Sequence, residues 1–321
     1  MRLKALLITT SLLLSPLSTT HAVVDKNLPF PETDQPSAQE IANQVYFANH
    51  FYAYDNFSIG AKRSRSHKAI LINRSESGND TTIAIERHLN NKYDDGVINS
   101  RDLAIFHSGN LKGTGLLVTD YVDQNKSSSY AIWLPALRKI RRFAEPAQED
   151  SWGGSVFTFG DVALRKPSDE THELLGKKVM RSCLGVIPEL EGKNYRYVRK
   201  LPKRSCRHVG KEVYGLKSQS KFSEWWYDYR ISMIDTKTFA DYRTVYYKDG
   251  EIIKIIDRDW GVMDNETDSK DPRALFWKYW YGVDLTTGQE SWAIIPQRII
   301  EFNRDIDNKF WSEKTLRKIK R

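Results

Sequence analysis

From Lys68 onwards, apolar and polar residues alternate over many short stretches of the chain. Thr82–Arg87 and Asp228–Met233 are two clear examples. Because successive side chains of a β-strand point to opposite faces, this period of two predicts strands with one dry face and one wetter face. Aromatic residues make up 12% of the chain, which also favours a β-rich fold.

Turn sequences separate these stretches. They are Asp95–Gly96, Ser108–Asn110, Asp123–Lys126 and Lys248–Gly250. Asp249 and Gly250 give the strongest hairpin signal, because they lie between the strand-like stretches Ala240–Tyr247 and Glu251–Asp257. Consecutive hairpins indicate an antiparallel meander, not a parallel α/β sheet. The sequence therefore predicts a mainly β (α+β) fold.

The first 22 residues have the pattern of a secretory signal peptide. Arg2 and Lys4 precede the apolar run Ala5–Leu14, which is too short to cross a bilayer. Thr20 and Ala22 are the small residues expected before a cleavage site that follows Ala22. The alternative is a retained anchor helix. No cysteine lies near the cleavage site, so we expect an exported, soluble protein without a lipid anchor.

The rest of the chain is predicted to form one domain, residues 37–321, behind a proline-rich extended leader, residues 23–36. Ser37 and Glu40 match a capping box, and apolar residues at helical spacing follow them. They predict an amphipathic helix over Ser37–Asn56. Many basic residues crowd the stretch 193–226, which we interpret as an excursion from the sheet. The tail Trp311–Arg321 is predicted as a short basic helix.

The chain contains two cysteines, Cys183 and Cys206. In an exported protein the default expectation is that they form one disulfide. The alternative is two free thiols that never meet. Two cysteines without CxxC spacing argue against a redox or zinc site.

No recognisable catalytic or metal-binding motif is present. The histidines are scattered, and there is no HExxH sequence. Ser155 follows two glycines, but Phe157 replaces the second glycine of a GxSxG elbow. The acidic stretch Asp264–Asp271 lacks the glycine and glutamate of a calcium loop. We therefore expect no enzymatic activity, no cofactor and no metal. The net charge of +8 is spread among many acids and does not indicate a nucleic-acid partner.

Arg138–Arg142 places four cations within five residues at the end of a predicted hairpin. One interpretation is a hairpin that is simply solvated. The other is a contact with lipid head groups or with an acidic partner protein.

A second feature is a set of aromatic and aliphatic residues at alternate strand positions. The set comprises Leu116, Val118, Ile132, Trp133, Phe157, Phe159, Tyr229, Ile231, Met233, Tyr242 and Tyr246. These residues form either an ordinary core or the inner wall of a curved sheet that encloses an apolar cavity. The alternation of residues does not distinguish an ordinary core from a cavity wall.

Several stretches of the chain share a family pattern. Tyr130–Phe143 reads YAIWLPALRKIRRF, and Asp150–Asp161 reads DSWGGSVFTFGD. Ile234–Thr238 and Val245–Lys254 follow. This order resembles the LolA-like outer-membrane lipoprotein-sorting family, in which WLYLPALRKVRRI precedes DSFMGSDFTYEDL and a hairpin reading YYDKDGKLIK comes later. The resemblance extends over Ser37–Asp257, with gaps.

The resemblance implies a LolA/LolB-like, strongly curved antiparallel half-barrel, closed by helices and enclosing an apolar cavity for acyl chains. It further implies a periplasmic location and lipid or lipoprotein traffic beside exporters of the resistance-nodulation-division (RND) type. The chain departs from the family pattern at Trp152–Gly154 and Gly160–Asp161, and the 193–226 excursion has no clear counterpart. Cargo and partner can therefore differ from those of other members.

We predict a monomeric periplasmic carrier that binds acyl chains and moves them between envelope membranes with an RND-type exporter. The alternative is a non-carrier accessory subunit of an envelope complex. The predicted cavity wall comprises Leu116, Val118, Ile132, Trp133, Phe157, Phe159, Ile231, Met233 and Tyr246. The predicted contact with partner or head groups comprises Arg138, Lys139, Arg141 and Arg142.

Overall fold

The computed structural model describes residues 26–60, 68–123, 125–143, 145–163, 165–186, 204–262 and 270–319. Within these ranges the protein is mainly β, with one large curved antiparallel sheet and few helices, as predicted. The predicted signal peptide lies outside the described residues. No helix in the described ranges is long and apolar enough to cross a membrane.

The helices are α1 (Ala38–Asn49), α2 (Phe159–Val162) and α3 (Glu313–Leu316). The strands are β1 (Asn56–Ile59), β2 (Ala69–Arg74), β3 (Asp80–Asn90), β4 (Ile98–Phe106), β5 (Gly115–Tyr121), β6 (Ser129–Leu134), β7 (Lys139–Phe143), β8 (Glu170–Val179), β9 (Leu184–Val186), β10 (Arg204–Ser205), β11 (Glu212–Ser220), β12 (Tyr229–Asp235), β13 (Asp241–Lys248), β14 (Glu251–Gly261), β15 (Phe276–Asp284), β16 (Glu290–Ile294) and β17 (Ile300–Phe302).

Two meanders form the large sheet. Its strand order is β7-β6-β5-β4-β3-β2-β16-β15-β14-β13-β12-β11-β8, and β1 pairs with both β3 and β17. The first meander runs from β2 to β7 and the second from β8 and β11 to β16. They join in the middle, where β2 pairs with β16. β9 and β10 form a separate two-stranded sheet.

The predicted hairpin at Asp249 and Gly250 is confirmed. It connects β13 to β14, and both residues have positive φ angles, 51° and 83°. A two-residue turn of this kind needs two left-handed residues, which an Asp-Gly pair tolerates well.

The capping box at the start of α1 is confirmed as well. The Glu40 N–H donates to the Ser37 hydroxyl at 3.2 Å, and the Ser37 N–H donates to the Glu40 carboxylate at 2.8 Å. The helix ends at Asn49, earlier than predicted, because Phe51 adopts a left-handed conformation with a φ of 56°. At the other end of the chain, α3 covers one turn of the predicted tail helix.

The disulfide between Cys183 and Cys206 is confirmed. It joins the two chain segments that carry β9 and β10. A cross-link that closes a loop of this size stabilises a fold by about 3 kcal/mol, chiefly by restricting the unfolded chain.

The predicted basic excursion at 193–226 needs a correction. Residues 187–203 lie outside the described residues, but Glu212–Ser220 forms β11 inside the large sheet, between β8 and β12. Its apolar residues Val213, Tyr214 and Leu216 are buried. Because many basic residues lie nearby, the apolar pattern of β11 was difficult to recognise in the sequence.

Candidate functional site

A cavity of about 550 Å³ lies against one face of the curved sheet. Strands β1 to β6, β15 and β16 contribute to its wall, together with the end of α1 and the segment 145–169. Its volume falls within the range of roughly 300–1,000 Å³ that is typical of sites for small ligands.

Apolar side chains at alternate strand positions form most of the wall. They include Ile59, Leu71, Ile85, Leu89, Ala104, Leu116, Val118, Trp277, Ala293 and Ile295. Leu116 and Val118 are two residues apart on β5, so the pleat turns both to the same face of the sheet. On the same face of the first meander, Arg87 of β3 and Asp102 of β4 also line the cavity, and their side chains form an ion pair at 2.6 Å. The wall is therefore mainly apolar but includes a charged pair.

The segment 145–169 packs closely against the second meander. Val156 and Phe157 approach β15 at Gly282, where a Cβ atom would lie 2.6 Å from Val156 Cγ2. The Val156 N–H donates to Ser291 Oγ on β16 at 3.1 Å. These contacts place Phe157 in the cavity wall.

Asp161 anchors this segment through a buried charge. Its side chain is fully buried and accepts hydrogen bonds from Lys254 Nζ on β14 and from the Tyr246 hydroxyl on β13. Burial alone would raise the pKa of Asp161, but the charges of Lys254 and Arg165 outweigh that effect and hold the pKa well below its usual range. Asp161 therefore stays ionised and fixes α2 to the sheet.

A second group of buried charges, formed by Glu170, Arg165 and Arg230, lies beside the pair of Asp161 and Lys254. Glu170 accepts hydrogen bonds from Arg165 Nε at 3.2 Å and from Arg230 Nη2 on β12 at 2.5 Å. Burial would raise the pKa of Glu170, but Arg230 and Arg165 bring it down to about 2. Arg165 also lines the cavity, so this cluster of buried charges borders it.

Ionisable side chains also line the cavity. They include Asp120, Glu145, Lys166 and Asp169, which are half-buried. His50, just after α1, also lines it, and burial lowers the pKa of His50 to about 4, so its ring is neutral at pH 7. The cavity lining therefore combines many apolar side chains with several ionisable ones.

The structure brings four of the predicted wall residues together at the cavity: Leu116, Val118, Phe157 and Phe159. Tyr246 is buried instead and donates its hydroxyl proton to Asp161. Ile132 pairs with Leu116 across β5 and β6 but lies closer to the sheet edge, outside the cavity lining.

Trp133, Ile231 and Met233 lie away from the cavity, which corrects the prediction for them. Trp133 packs on the other face of the sheet, with Trp311 and Leu316. Ile231 and Met233 alternate with Arg230 and Ser232, which point toward the buried polar side chains. A period of two does not indicate which face of a strand is buried, so the alternation on β12 was predictable but its orientation was not.

The basic residues Arg138–Arg142 lie on and beside β7, the edge strand of the sheet. Arg138, Lys139 and Arg141 are exposed and form no ion pair with any described residue. Arg142 differs, because its guanidinium binds both carboxylate oxygens of Glu313 in α3, at 2.7 and 2.9 Å. Exposed cations on an edge strand also discourage pairing with other chains.

The sequence analysis missed the acidic residues that line the cavity and the buried ion pairs of Asp161 and Glu170. One signal was available: Thr158 and Asp161 have the spacing of a capping box, and the Thr158 N–H does donate to the Asp161 carboxylate at 2.9 Å. No local signal indicated that Asp161 meets Lys254, which is 93 residues further along the chain.

A protein-family model described as "Uncharacterized protein" matches residues 98–318. No curated protein matches the chain significantly.

Three solved structures share its architecture. A domain assigned to outer membrane lipoprotein sorting, from Vibrio parahaemolyticus, is 12% identical with a TM-score of 0.62, covering 88% of this chain and 98% of its own. A DUF1329 family protein from Desulfovibrio piger is 13% identical with a TM-score of 0.63, covering 88% and 100%. A LolA superfamily protein from Nitrosomonas europaea is 12% identical with a TM-score of 0.51, also covering 88% and 100%. The predicted resemblance to LolA-like proteins is confirmed at the level of the fold.

Proposed function

The chain belongs to the family described as "Uncharacterized protein", whose model matches residues 98–318, and from its LolA-like fold we propose that it is a periplasmic carrier of acyl chains. The cargo is a lipid or lipoprotein that the protein moves between envelope membranes. This carrier has no catalytic step and uses no cofactor.

The observation that carries this proposal is the apolar cavity wall. An acyl chain that leaves water for such a wall gains about 0.8 kcal/mol for each buried CH₂ group. Two tryptophans, Trp277 and Trp280, add large apolar surfaces to this wall. A cavity of about 550 Å³ is large enough for a substantial part of one chain.

We propose that helices close the half-barrel around the cargo. Tyr46 and His50 at the end of α1 border the cavity on one side, and Phe159 and Val162 of α2 border it on the other. The buried ion pairs hold α2 to the sheet. α1 is held by Ile41 and Val45, which pack in one apolar cluster with residues of β11 and β12, and by the Asn49 side-chain N–H, which donates to Asp241 at 3.2 Å.

In the proposed cycle, an RND-type exporter supplies the energy, and an acceptor membrane receives the chain. The alternative function is an accessory subunit that docks onto an envelope complex and carries no lipid. The open cavity favours the carrier, because a docking subunit has no need of an unfilled interior.

Native mass spectrometry of the protein purified from the periplasm tests the proposal. We expect a fraction of the protein to carry an acyl lipid, seen as a mass increment that disappears after delipidation. An unrelated periplasmic protein purified in parallel is the control for adventitious lipid. Repeated recovery of lipid-free protein would support the accessory-subunit alternative.

We further propose that Arg138, Lys139 and Arg141 dock the carrier onto anionic head groups. Charge reversal of all three to Glu is expected to weaken binding to anionic vesicles by about 1 kcal/mol for each charge removed from the surface. Arg142 is left unchanged because of its ion pair with Glu313. Vesicle co-sedimentation measures the effect.

The matched control reverses Lys178, Lys237 and Lys248, three exposed lysines on the other meander. Both variants have the same net charge. Equal losses in the two variants would show that only net charge matters and that the edge strand β7 is not the contact.

A further inference from the structure

The buried charges beside the cavity do not balance one another. Their cluster contains the carboxylates of Asp161 and Glu170 and the cations Arg165, Arg230 and Lys254. Lys254 pairs with Asp161, and Arg230 pairs with Glu170 at 2.5 Å. Each carboxylate therefore has a close cation, and the positive charge of Arg165 is in excess.

The Arg165 guanidinium is only partly satisfied. Its Nε donates to Glu170 at 3.2 Å, and its Cζ lies 5.7 and 5.4 Å from the ring centroids of Trp226 and Tyr227. Its Nη1 is buried and forms no hydrogen bond with any residue that the structure describes. The Arg165 side chain is only 4% exposed, yet it lines the cavity. A buried charged donor without a partner is uncommon, because its desolvation is not offset.

Gly160 allows Nη1 to occupy this position. A Cβ atom on Gly160 would lie 2.7 Å from Arg165 Nη1 and 2.9 Å from Gln148 Oε1. Gln148 also lines the cavity, and its Oε1 has no partner among the described residues either. This oxygen is neutral, so it supplies no negative charge to Arg165. Gly160 is also a position at which the chain departs from the LolA-like pattern.

The remaining charges around the cavity do not compensate for Arg165. Four other carboxylates line the cavity without forming an ion pair with Arg165 in the described ranges: Asp102, Asp120, Glu145 and Asp169. Four cations outside the buried cluster attract them: Arg87, Lys26, Lys166 and Lys221. Arg258, on the same strand as Lys254, is paired with Asp241 at 2.9 Å. The excess positive charge therefore remains at Arg165.

We propose that the cargo carries an anionic head group, a carboxylate or a phosphate, that binds Arg165 Nη1 inside the cavity, an inference that rests on the proposed carrier function. An arginine keeps its proton in proteins, and its planar guanidinium matches the oxygens of both groups. A charge-assisted hydrogen bond from Nη1 satisfies the buried donor and balances the excess charge. A neutral head group would leave that charge unbalanced, and an ammonium would add another cation.

Chain-matched amphiphiles test this inference on the delipidated full-length protein. Dodecanoate, dodecyl phosphate, dodecanol and dodecylamine compete with a neutral fluorescent acyl ester for the cavity. Because hydrogen bonds to charged acceptors are stronger than those to hydroxyl groups, we expect at least one of the two anions to bind about tenfold more tightly than dodecanol. Dodecylamine is expected to bind more weakly than dodecanol. The tighter of the two anions identifies the head group.

Variants locate the preference. Arg165→Gln is expected to remove the tenfold preference for the anion over dodecanol, and thermal unfolding verifies that the variant folds. Gly160→Ala is the second variant, because its methyl group forces Nη1 to move, and we expect it to reduce the same ratio of affinities. Arg181→Gln is the matched control. It removes one positive charge at an exposed position that does not line the cavity, and it is expected to keep the preference.

The outcomes separate the two proposals. Equal affinities for the anions and dodecanol, or tighter binding of the amine, would overturn the anion inference and leave the carrier function standing. Displacement of the probe by none of the amphiphiles would contradict the carrier function itself. An unchanged preference in the Arg165→Gln variant, or its loss in the Arg181→Gln variant, would overturn the role of Arg165.

Discussion

The substitution Ala104→Trp is expected to abolish acyl-chain binding and leave the sheet folded. Ala104 lies on β4 with its side chain in the cavity wall. An indole at this position fills space that the chain would occupy. If it displaces five CH₂ groups at about 0.8 kcal/mol each, binding weakens by about 4 kcal/mol, or roughly a thousandfold.

Fluorescent fatty-acid titration measures this loss, and circular dichroism with thermal unfolding verifies the fold. Ala136→Trp, in the exposed turn between β6 and β7, is the matched control and is expected to bind normally. Undiminished binding by the Ala104→Trp variant would mean that the chain binds elsewhere, for example on the outer surface of the sheet.

The substitution Lys254→Met is expected to destabilise the fold by about 3–5 kcal/mol, because it leaves the Asp161 carboxylate buried without its closest cation. Chemical unfolding in urea measures the change. Lys248→Met, at the exposed end of the adjacent strand, is the control and is expected to change stability by less than about 0.5 kcal/mol.

Acid sensitivity gives this prediction a second readout. The folded pKa of Asp161 lies below the unfolded value of about 3.9, so the ionised carboxylate stabilises the fold above that pH. This contribution is lost as the pH falls through the folded pKa. Without Lys254 the folded pKa rises, so acid unfolding is expected to begin at a higher pH.

A compensating variant completes the test. Adding Asp161→Asn to Lys254→Met removes the unpaired charge and is expected to restore part of the stability. If Lys254→Met unfolds no more easily than Lys248→Met, the buried pair does not anchor the segment 145–169.

Local features of the fold were predictable from the sequence. The Asp249–Gly250 hairpin and the Ser37–Glu40 capping box each depend on residues within four positions of one another. Both features depend on backbone geometry and on hydrogen bonds between neighbouring residues, so the local sequence is enough to predict them. The end of α1 was less predictable, since the left-handed Phe51 packs against distant rings, including those of Phe276 and Trp277.

The cavity lining was only partly predictable, because contacts between residues far apart in the chain decide which face of a strand is buried. Alternation on β5 correctly grouped Leu116 with Val118, but alternation on β12 did not reveal that Arg230 and Ser232 point toward the buried polar side chains. Their orientation depends on Glu170 and Thr244, which reach them from other strands. Which face of β12 is buried therefore depends on polar partners far along the chain, and the local sequence pattern does not contain this information.

The junction between β2 and β16 has a consequence for folding kinetics. Ile70 and Ile72 on β2 are buried there by Trp292 and Ile294, more than 200 residues further along the chain. During synthesis from the N-terminus, the first meander is complete long before β16 has been made. Until then, β2 is an apolar edge strand without its partner β16. Contacts of such long separation form slowly, so we expect the pairing of β16 with β2 to be a late step in folding.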